Sequence, residues 1–215
     1  MTRRGCPLSQ GSMNSNPIKD WVNRPVGCIK SAGSKERNRM VKAIVTGASS
    51  KMGARLMQFV HETDGIELVG AVDARESRHI AHDAGEINQL GFFGVPVVGD
   101  LRDCIRNSCV VIDFTDKESS LSHLKIAAEF KTSMVMGTMG FMLDEMDRIR
   151  ELTKKTRCVL VPNVSPALFS EMGAGVELIY RSFIRDTFAR EAIAAAKWIV
   201  KQKNGLYDMQ DVLGL

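Results

Sequence analysis

Apolar positions in the first 39 residues follow neither a helical nor an alternating period, and Ser, Asn, Gly, Pro and Arg dominate that stretch. From Val41 the pattern becomes regular. Lys42–Thr46 (KAIVT) is a short β-branched run that predicts a strand. Met52–Glu62 places Met52, Leu56, Phe59 and Val60 at helical spacing. Glu67–Val72 (ELVGAV) and Cys109–Phe114 (CVVIDF) read as strands, the second fully buried. Lys117–Phe130 carries Leu121, Leu124, Ile126, Ala127 and Ala128 as a helical stripe. Ser133–Met136 and Arg157–Val161 are two further strands, with an amphipathic helix from Leu143 to Lys155 between them. Strands alternating with helices predict βαβ units, a parallel sheet and right-handed crossovers.

Beyond Pro162 the rhythm changes. Gly175–Tyr180 (GVELIY) reads as an isolated strand. Asp186–Lys203 reads as a long amphipathic helix carrying Phe188, Ile193, Ala196, Trp198, Ile199 and Val200. Asn204-Gly205 then supplies a C-terminal glycine stop. The expected organisation is a disordered leader or misassigned start over 1–39, a dinucleotide-binding domain over 40–172, a remnant strand over 173–184, and a C-terminal helical segment over 185–215 that packs back on that domain.

Composition narrows the class. Of 215 residues, 44% are hydrophobic and 25% charged, which suits a folded core. No run of 18 apolar residues occurs, so no transmembrane helix is expected. The net charge is +4, but residues 1–40 hold eight Lys or Arg against Asp20 and Glu36. The rest of the chain is therefore slightly acidic, which argues against nucleic-acid binding. Five cysteines, at 6, 28, 104, 109 and 158, include no C-x-x-C pair and suit reduced thiols. A cytoplasmic location is expected. Organelle import directed by the Arg- and Ser-rich leader is the alternative, with Met40 as the real first residue a third reading.

The most specific local signal is VTGASSKMG, Val45 to Gly53, placed between the first strand and the first helix. Gly47 permits a tight turn, Gly53 permits close helix–strand packing, and the helix N-terminus faces a pyrophosphate. Asp73 follows Gly53 by twenty residues and ends the second strand, where an acid accepts hydrogen bonds from a ribose. Together they predict a Rossmann-type, doubly wound α/β fold that binds NADH or NADPH. NADH is expected to be preferred, because Asp73 repels a 2′-phosphate, with Lys51 and Arg75 near enough to soften the preference. The alternative is an ordinary βα turn with a solvated Asp73. Other patterns fail. His61-Glu62 lacks the second histidine of a zinc protease. Tyr180 and Tyr207 lack a lysine four residues on, no G-x-S-x-G elbow occurs, and His79 with His82 lacks a third metal ligand. Met134, Met136, Met139, Met142 and Met146 read as packing, and no metal site is expected.

The order of motifs from Gly47 onward resembles the dihydrodipicolinate reductase family of lysine (diaminopimelate) biosynthesis. GASSKMG resembles its cofactor loop G-A-x-G-R-M-G, and LVGAVD, Leu68 to Asp73, its second strand and ribose acid. DAGE (83–86), GVPV (94–97) and VIDFT (111–115) follow in family order. GTMGF (137–141) resembles the G-T-T-G-F loop at the nicotinamide, and VPNVS (161–165) the P-N-x-S segment. RDTFAR (185–190) and GLYDMQDVL (205–213) resemble its C-terminal run. The resemblance implies reduction of 4-hydroxy-tetrahydrodipicolinate by NAD(P)H. It implies cofactor contacts at Gly47, Ala48, Ser49, Ser50, Lys51, Met52, Gly53, Asp73, Phe114, Thr115, Gly137, Thr138, Met139 and Asn163.

Departures from the family pattern carry equal weight. The E-x-x-H-H-x-x-K-x-D-x-P-S-G-T-A motif of the substrate domain has no counterpart: none of the six Pro precedes Ser-Gly, and none of the four His adjoins another. About a hundred residues, a domain's worth, are expected to be missing after Met172. No catalytic residue is therefore assigned, and an NAD(P)-binding module without reductase activity is the alternative function. The usual tetramer is not expected, and Val176–Arg181 is left as an edge strand open to pairing. Ser50 replaces the middle loop glycine, a costly exchange if φ is positive there. Met139 replaces the second threonine of GTTG, Ala74 an arginine, and Glu191 a glycine.

Overall fold

The computed structural model describes residues 40–161 and 184–215. The 1–39 leader, the Gly175–Tyr180 strand with its Val176–Arg181 edge, and Asn163 lie outside the described residues. In chain order the elements are β1 (Val41–Thr46), α1 (Lys51–Glu62), β2 (Ile66–Val72), β3 (Val97–Val98), β4 (Val110–Asp113), α2 (Lys117–Phe130), β5 (Ser133–Met136), α3 (Leu143–Thr153), β6 (Arg157–Leu160), α4 (Ile184–Ile199), β7 (Gly205–Tyr207) and α5 (Met209–Leu213).

Among the described residues, seven strands run parallel in the order β3-β2-β1-β4-β5-β6-β7. The order reverses between β1 and β4, as in a Rossmann-type doubly wound sheet. Strand alternation divides the core into two layers. Ala43, Val45, Val110, Ile112, Val135 and Val159 face one way, against α1 and α4. Ile44, Val111, Met134, Met136 and Cys158 face the other, against α2 and α3. Both faces are covered, which is why these strands read as continuous apolar runs.

Two strands escape the sequence pattern. β3 is two residues long and exists through pairing of Val97 and Val98 with Ala71 and Val72. β7 extends the sheet beyond β6, with Leu206 beside Cys158 and Tyr207 beside Val159. The last long helix therefore ends at Ile199, not at Lys203. It closes through tightened turns, Lys201 N–H to the Trp198 carbonyl and Gln202 N–H to the Ile199 carbonyl. Gly205 is not a helix stop. It opens β7, and its φ is not left-handed. Among the described residues, no helix is long and apolar enough to cross a membrane.

Candidate functional site

Tight packing at the C-terminal end of β1 shapes the predicted loop. Gly47 takes φ +68°, and a Cβ there would lie 3.2 Å from Thr115 Cγ2. A Cβ on Gly53 would lie 2.1 Å from the Gly47 carbonyl oxygen, so only glycine lets α1 start this close to the strand. Ala48 is buried. Its N–H donates to the Val72 carbonyl and its own carbonyl accepts from Asn88. Ser49, Ser50 and Lys51 are exposed, and Met52 packs against the core. Ser50 carries no left-handed strain: its φ is −76°, and its Oγ accepts the Gly53 N–H at 2.9 Å as the N-cap of α1. The expected cost of the serine is thus absent, and the hydroxyl satisfies one of the helix's open donors.

A cleft of about 350 Å³ opens at the switch point between β1 and β4, lined among others by Gly47, Asp73, Arg75, Asp100, Thr115 and His123. Asp73 follows β2. Its carboxylate accepts the Ala74 N–H at 3.0 Å and the Ser77 hydroxyl at 2.9 Å. Arg75 is ion-paired with Asp100. Gly47 of the glycine loop and the strand-end acid Asp73 line one cleft, α1 begins four residues after Gly47, and this cradle fits a dinucleotide.

The second predicted loop lies beside it. Gly137 follows β5, and a Cβ there would meet the Phe114 ring at 2.0 Å. Thr138 Oγ1 donates to the Thr115 carbonyl at 2.7 Å, which pins the loop to the end of β4. Met139 is 41% exposed and projects past the loop.

Underneath lies a polar cluster that motif reading missed. Asp113 is fully buried. It accepts from the Thr115 N–H at 2.9 Å, the Thr115 hydroxyl at 2.8 Å and the Ser120 hydroxyl at 2.7 Å. His123 Nδ1 lies 2.5 Å from its other oxygen. Burial pushes the carboxyl up, but hydrogen bonding and charge from His123, with Thr115 and Ser120, outweigh it and hold Asp113 below the usual range. Ser120 Oγ also lies 2.6 Å from Thr138 Oγ1, so the loops after β4 and β5 both rest on one buried acid. The available signal was a charge closing the apolar run CVVID, which a buried strand tolerates only with partners.

Residues 41–164 match the family described as "Dihydrodipicolinate reductase, N-terminus", and residues 125–213 match "Dihydrodipicolinate reductase, C-terminus". The chain belongs to the dihydrodipicolinate reductase family. The 4-hydroxy-tetrahydrodipicolinate reductase of Syntrophus aciditrophicus (strain SB) is 32% identical over 265 aligned positions, covering 81% of this chain and 99% of the relative. The protein of the same name from Geotalea uraniireducens (strain Rf4) is 27% identical, covering 82% of this chain and 100% of its own. A solved structure, "Dipicolinate bound Dihydrodipicolinate reductase from Paenisporosarcina sp. TG-14", aligns at a TM-score of 0.49 and 18% identity over 79% of this chain and 78% of its own. The Syntrophus alignment carries a size difference within it. Its 265 positions meet 81% of 215 residues, about 174, so roughly 90 positions of this family member's relative have no counterpart here.

Proposed function

We propose that this chain holds NADH or NADPH in the cleft between β1 and β4 and takes part in the family reaction, reduction of 4-hydroxy-tetrahydrodipicolinate to tetrahydrodipicolinate. The observation that carries the reading is that the Gly47–Gly53 loop, Asp73 and the Gly137–Thr138 loop follow β1, β2 and β5 at the C-terminal end of one parallel sheet, with Gly47 and Asp73 lining one cleft and Thr138 bonded to Thr115 of the same cleft. The bound nicotinamide supplies hydride. Gly47 to Gly53, with the open N–H groups of α1, hold the pyrophosphate, and Asp73 takes the ribose hydroxyls. Phe114, Thr115, Gly137, Thr138, Met139 and Asn163 are assigned to the nicotinamide side. Asp73 supports NADH over NADPH, since its charge repels a 2′-phosphate.

A second reading has its own support: an NAD(P)-binding module that does not turn over alone. The proton donor and dicarboxylate site belong to the family motif that this sequence lacks, and the roughly 90 unmatched positions agree with the internal loss expected after Met172. General acid catalysis is typically worth 10²–10⁴-fold, and substrate positioning adds to it. NADH oxidation by the purified protein with freshly generated 4-hydroxy-tetrahydrodipicolinate, beside a complete reductase, separates the two. Turnover supports the first reading. A folded protein that binds NADH without turnover supports the second.

A further inference from the structure

A second cleft, of about 770 Å³, lies at the opposite end of the sheet from the dinucleotide loop. It is formed where β4, β5 and β6 begin and where α2 and α4 end. Arg106, Cys109, Phe130, Lys131, Arg157 and Lys201 contribute to its wall. Four of these are cations, and its lining contains no acid. Among the described residues, none of the four is paired with a carboxylate.

The two arginines are held in place. Arg157 is half-buried at the start of β6, where Nε donates to Ser133 Oγ at 2.8 Å and Nη1 donates to the Gln202 carbonyl at 2.8 Å. Both partners are neutral, so they orient the guanidinium without offsetting its charge. Arg106 is exposed and stacks over Phe130 at 5.3 Å from the ring centre. Lys131 and Lys201 follow the C-termini of α2 and α4, where helix dipoles favour cations. That accounts for the two lysines and not for the arginines. Lys131 also occupies a left-handed conformation, φ 56°, in which glycine is the usual residue.

Converging cations without a counter-charge repel one another, and a multiply charged anion relieves that repulsion while taking several charge-assisted hydrogen bonds at once. We infer that this cleft binds a small polyanion bearing carboxylate or phosphate groups, at a site separate from the dinucleotide cleft. Arg157 offers the planar donor geometry that carboxylate and phosphate share.

The test is calorimetric titration with citrate and with inorganic pyrophosphate at fixed ionic strength, each with and without saturating NADH. Binding by either anion that persists beside NADH is expected, and the tighter of the two names the ligand class. Arg157→Gln and Lys201→Ala are each expected to weaken it by about fivefold while leaving NADH affinity unchanged. Lys201 is exposed, so its variant keeps the test decisive should Arg157→Gln fail to fold. Binding that NADH abolishes, that both variants leave untouched, or that vanishes at constant ionic strength overturns the proposal.

Discussion

Arg55 of α1 and Asp186 of α4 form a two-pronged ion pair, Nε to Oδ1 and Nη2 to Oδ2, both at 2.5 Å. The pair joins the first helix after the glycine loop to the segment that resumes at Ile184. Arg190, one turn on, lies over the Phe59 ring of α1 at 4.8 Å, and Phe188, Ala189, Ala192 and Ile193 are buried in the same core layer or close to it. The RDTFAR motif thus has a structural meaning: its charges and its apolar face lock α4 against α1. The Arg55 hydrogen bond holds the Asp186 carboxyl below its ordinary range. Asp186→Asn is expected to lower the melting temperature, by more at low salt than at high salt, because the pair is partly exposed. Arg55→Gln should add little to it. Fully additive losses in a double-mutant cycle would show that the two side chains act independently.

Ser50 caps α1 from a conformation that any residue can adopt. Ser50→Ala is expected to cost about 1 kcal/mol in urea unfolding. Ser50→Gly, the residue of the family loop, should cost only a few tenths of that scale, since glycine is itself tolerated at an N-cap. A glycine variant more stable than the native chain would mean that the serine is strained after all.

Two glycines are required by contact. Gly53→Ala sets a methyl 2.1 Å from the Gly47 carbonyl, and Gly137→Ala sets one 2.0 Å from the Phe114 ring. Each is expected to destabilise by about 1–3 kcal/mol. They should differ in rescue. A backbone oxygen cannot be trimmed, whereas Phe114→Leu removes the ring that opposes residue 137. Phe114→Leu is expected to restore part of the loss in Gly137→Ala and none in Gly53→Ala, read as urea midpoints of the double variants.

Much of the fold was legible because its strands are buried on both sides. KAIVT, ELVGAV and CVVIDF needed no partner to be recognised, and the doubly wound class followed from their alternation with helices. What escaped was set by pairing. Val97 and Val98 are too few to show a period, and Gly205 looked like a helix stop because its neighbours in β6 lie 45 residues or more away in sequence. In the site, Gly47, Gly53 and Asp73 were legible from spacing. Asp113 and His123 were not, because the contact between them joins a strand end to the second turn of the next helix and no motif records it. The conformation of Ser50 was equally hidden, since sequence gives the residue and not its φ.

Asp113 and Asp83 are two buried carboxyls expected to contribute to the acid sensitivity of this fold. Asp83 is pushed up by burial, yet the backbone N–H groups of Phe93, Glu86, Val95 and Gly85 prevail and hold it below the usual range; Asp113 is held low by His123, Thr115 and Ser120 against its burial. A carboxyl depressed in the folded state contributes stability that is complete above its unfolded pKa, about 4. That stability is lost as pH falls through the lower folded value. Unfolding midpoints are therefore expected to be flat with respect to these two groups near neutrality and to fall below about pH 4. Asp83→Asn should be less stable at neutral pH and show a shallower acid decline. An unchanged slope in that variant would remove Asp83 from the account.

In the proposed cofactor site, Asp73 and Arg75 are expected to oppose each other in the choice between NADH and NADPH. Asp73 is oriented by Ser77 and the Ala74 N–H toward the cleft wall it helps to form. Arg75 lines the same cleft but is tied to Asp100, whose carboxylate is also near Arg102. The cation that would welcome a 2′-phosphate is thus partly neutralised, while the repelling anion stands ready for the ribose. The native chain is expected to bind NADH more tightly than NADPH in fluorescence titration. Asp73→Asn removes the repulsion and keeps a hydrogen-bonding side chain, so NADPH affinity should rise by about tenfold relative to NADH, a shift of about 1.4 kcal/mol. Asp100→Asn frees Arg75 and should move the ratio the same way by a smaller factor, because the released guanidinium is largely solvated. The combination should exceed either change alone. Tighter NADPH binding by the native chain would instead mean that Arg75 leaves Asp100 when the cofactor arrives, and Asp100→Asn would then have little left to change.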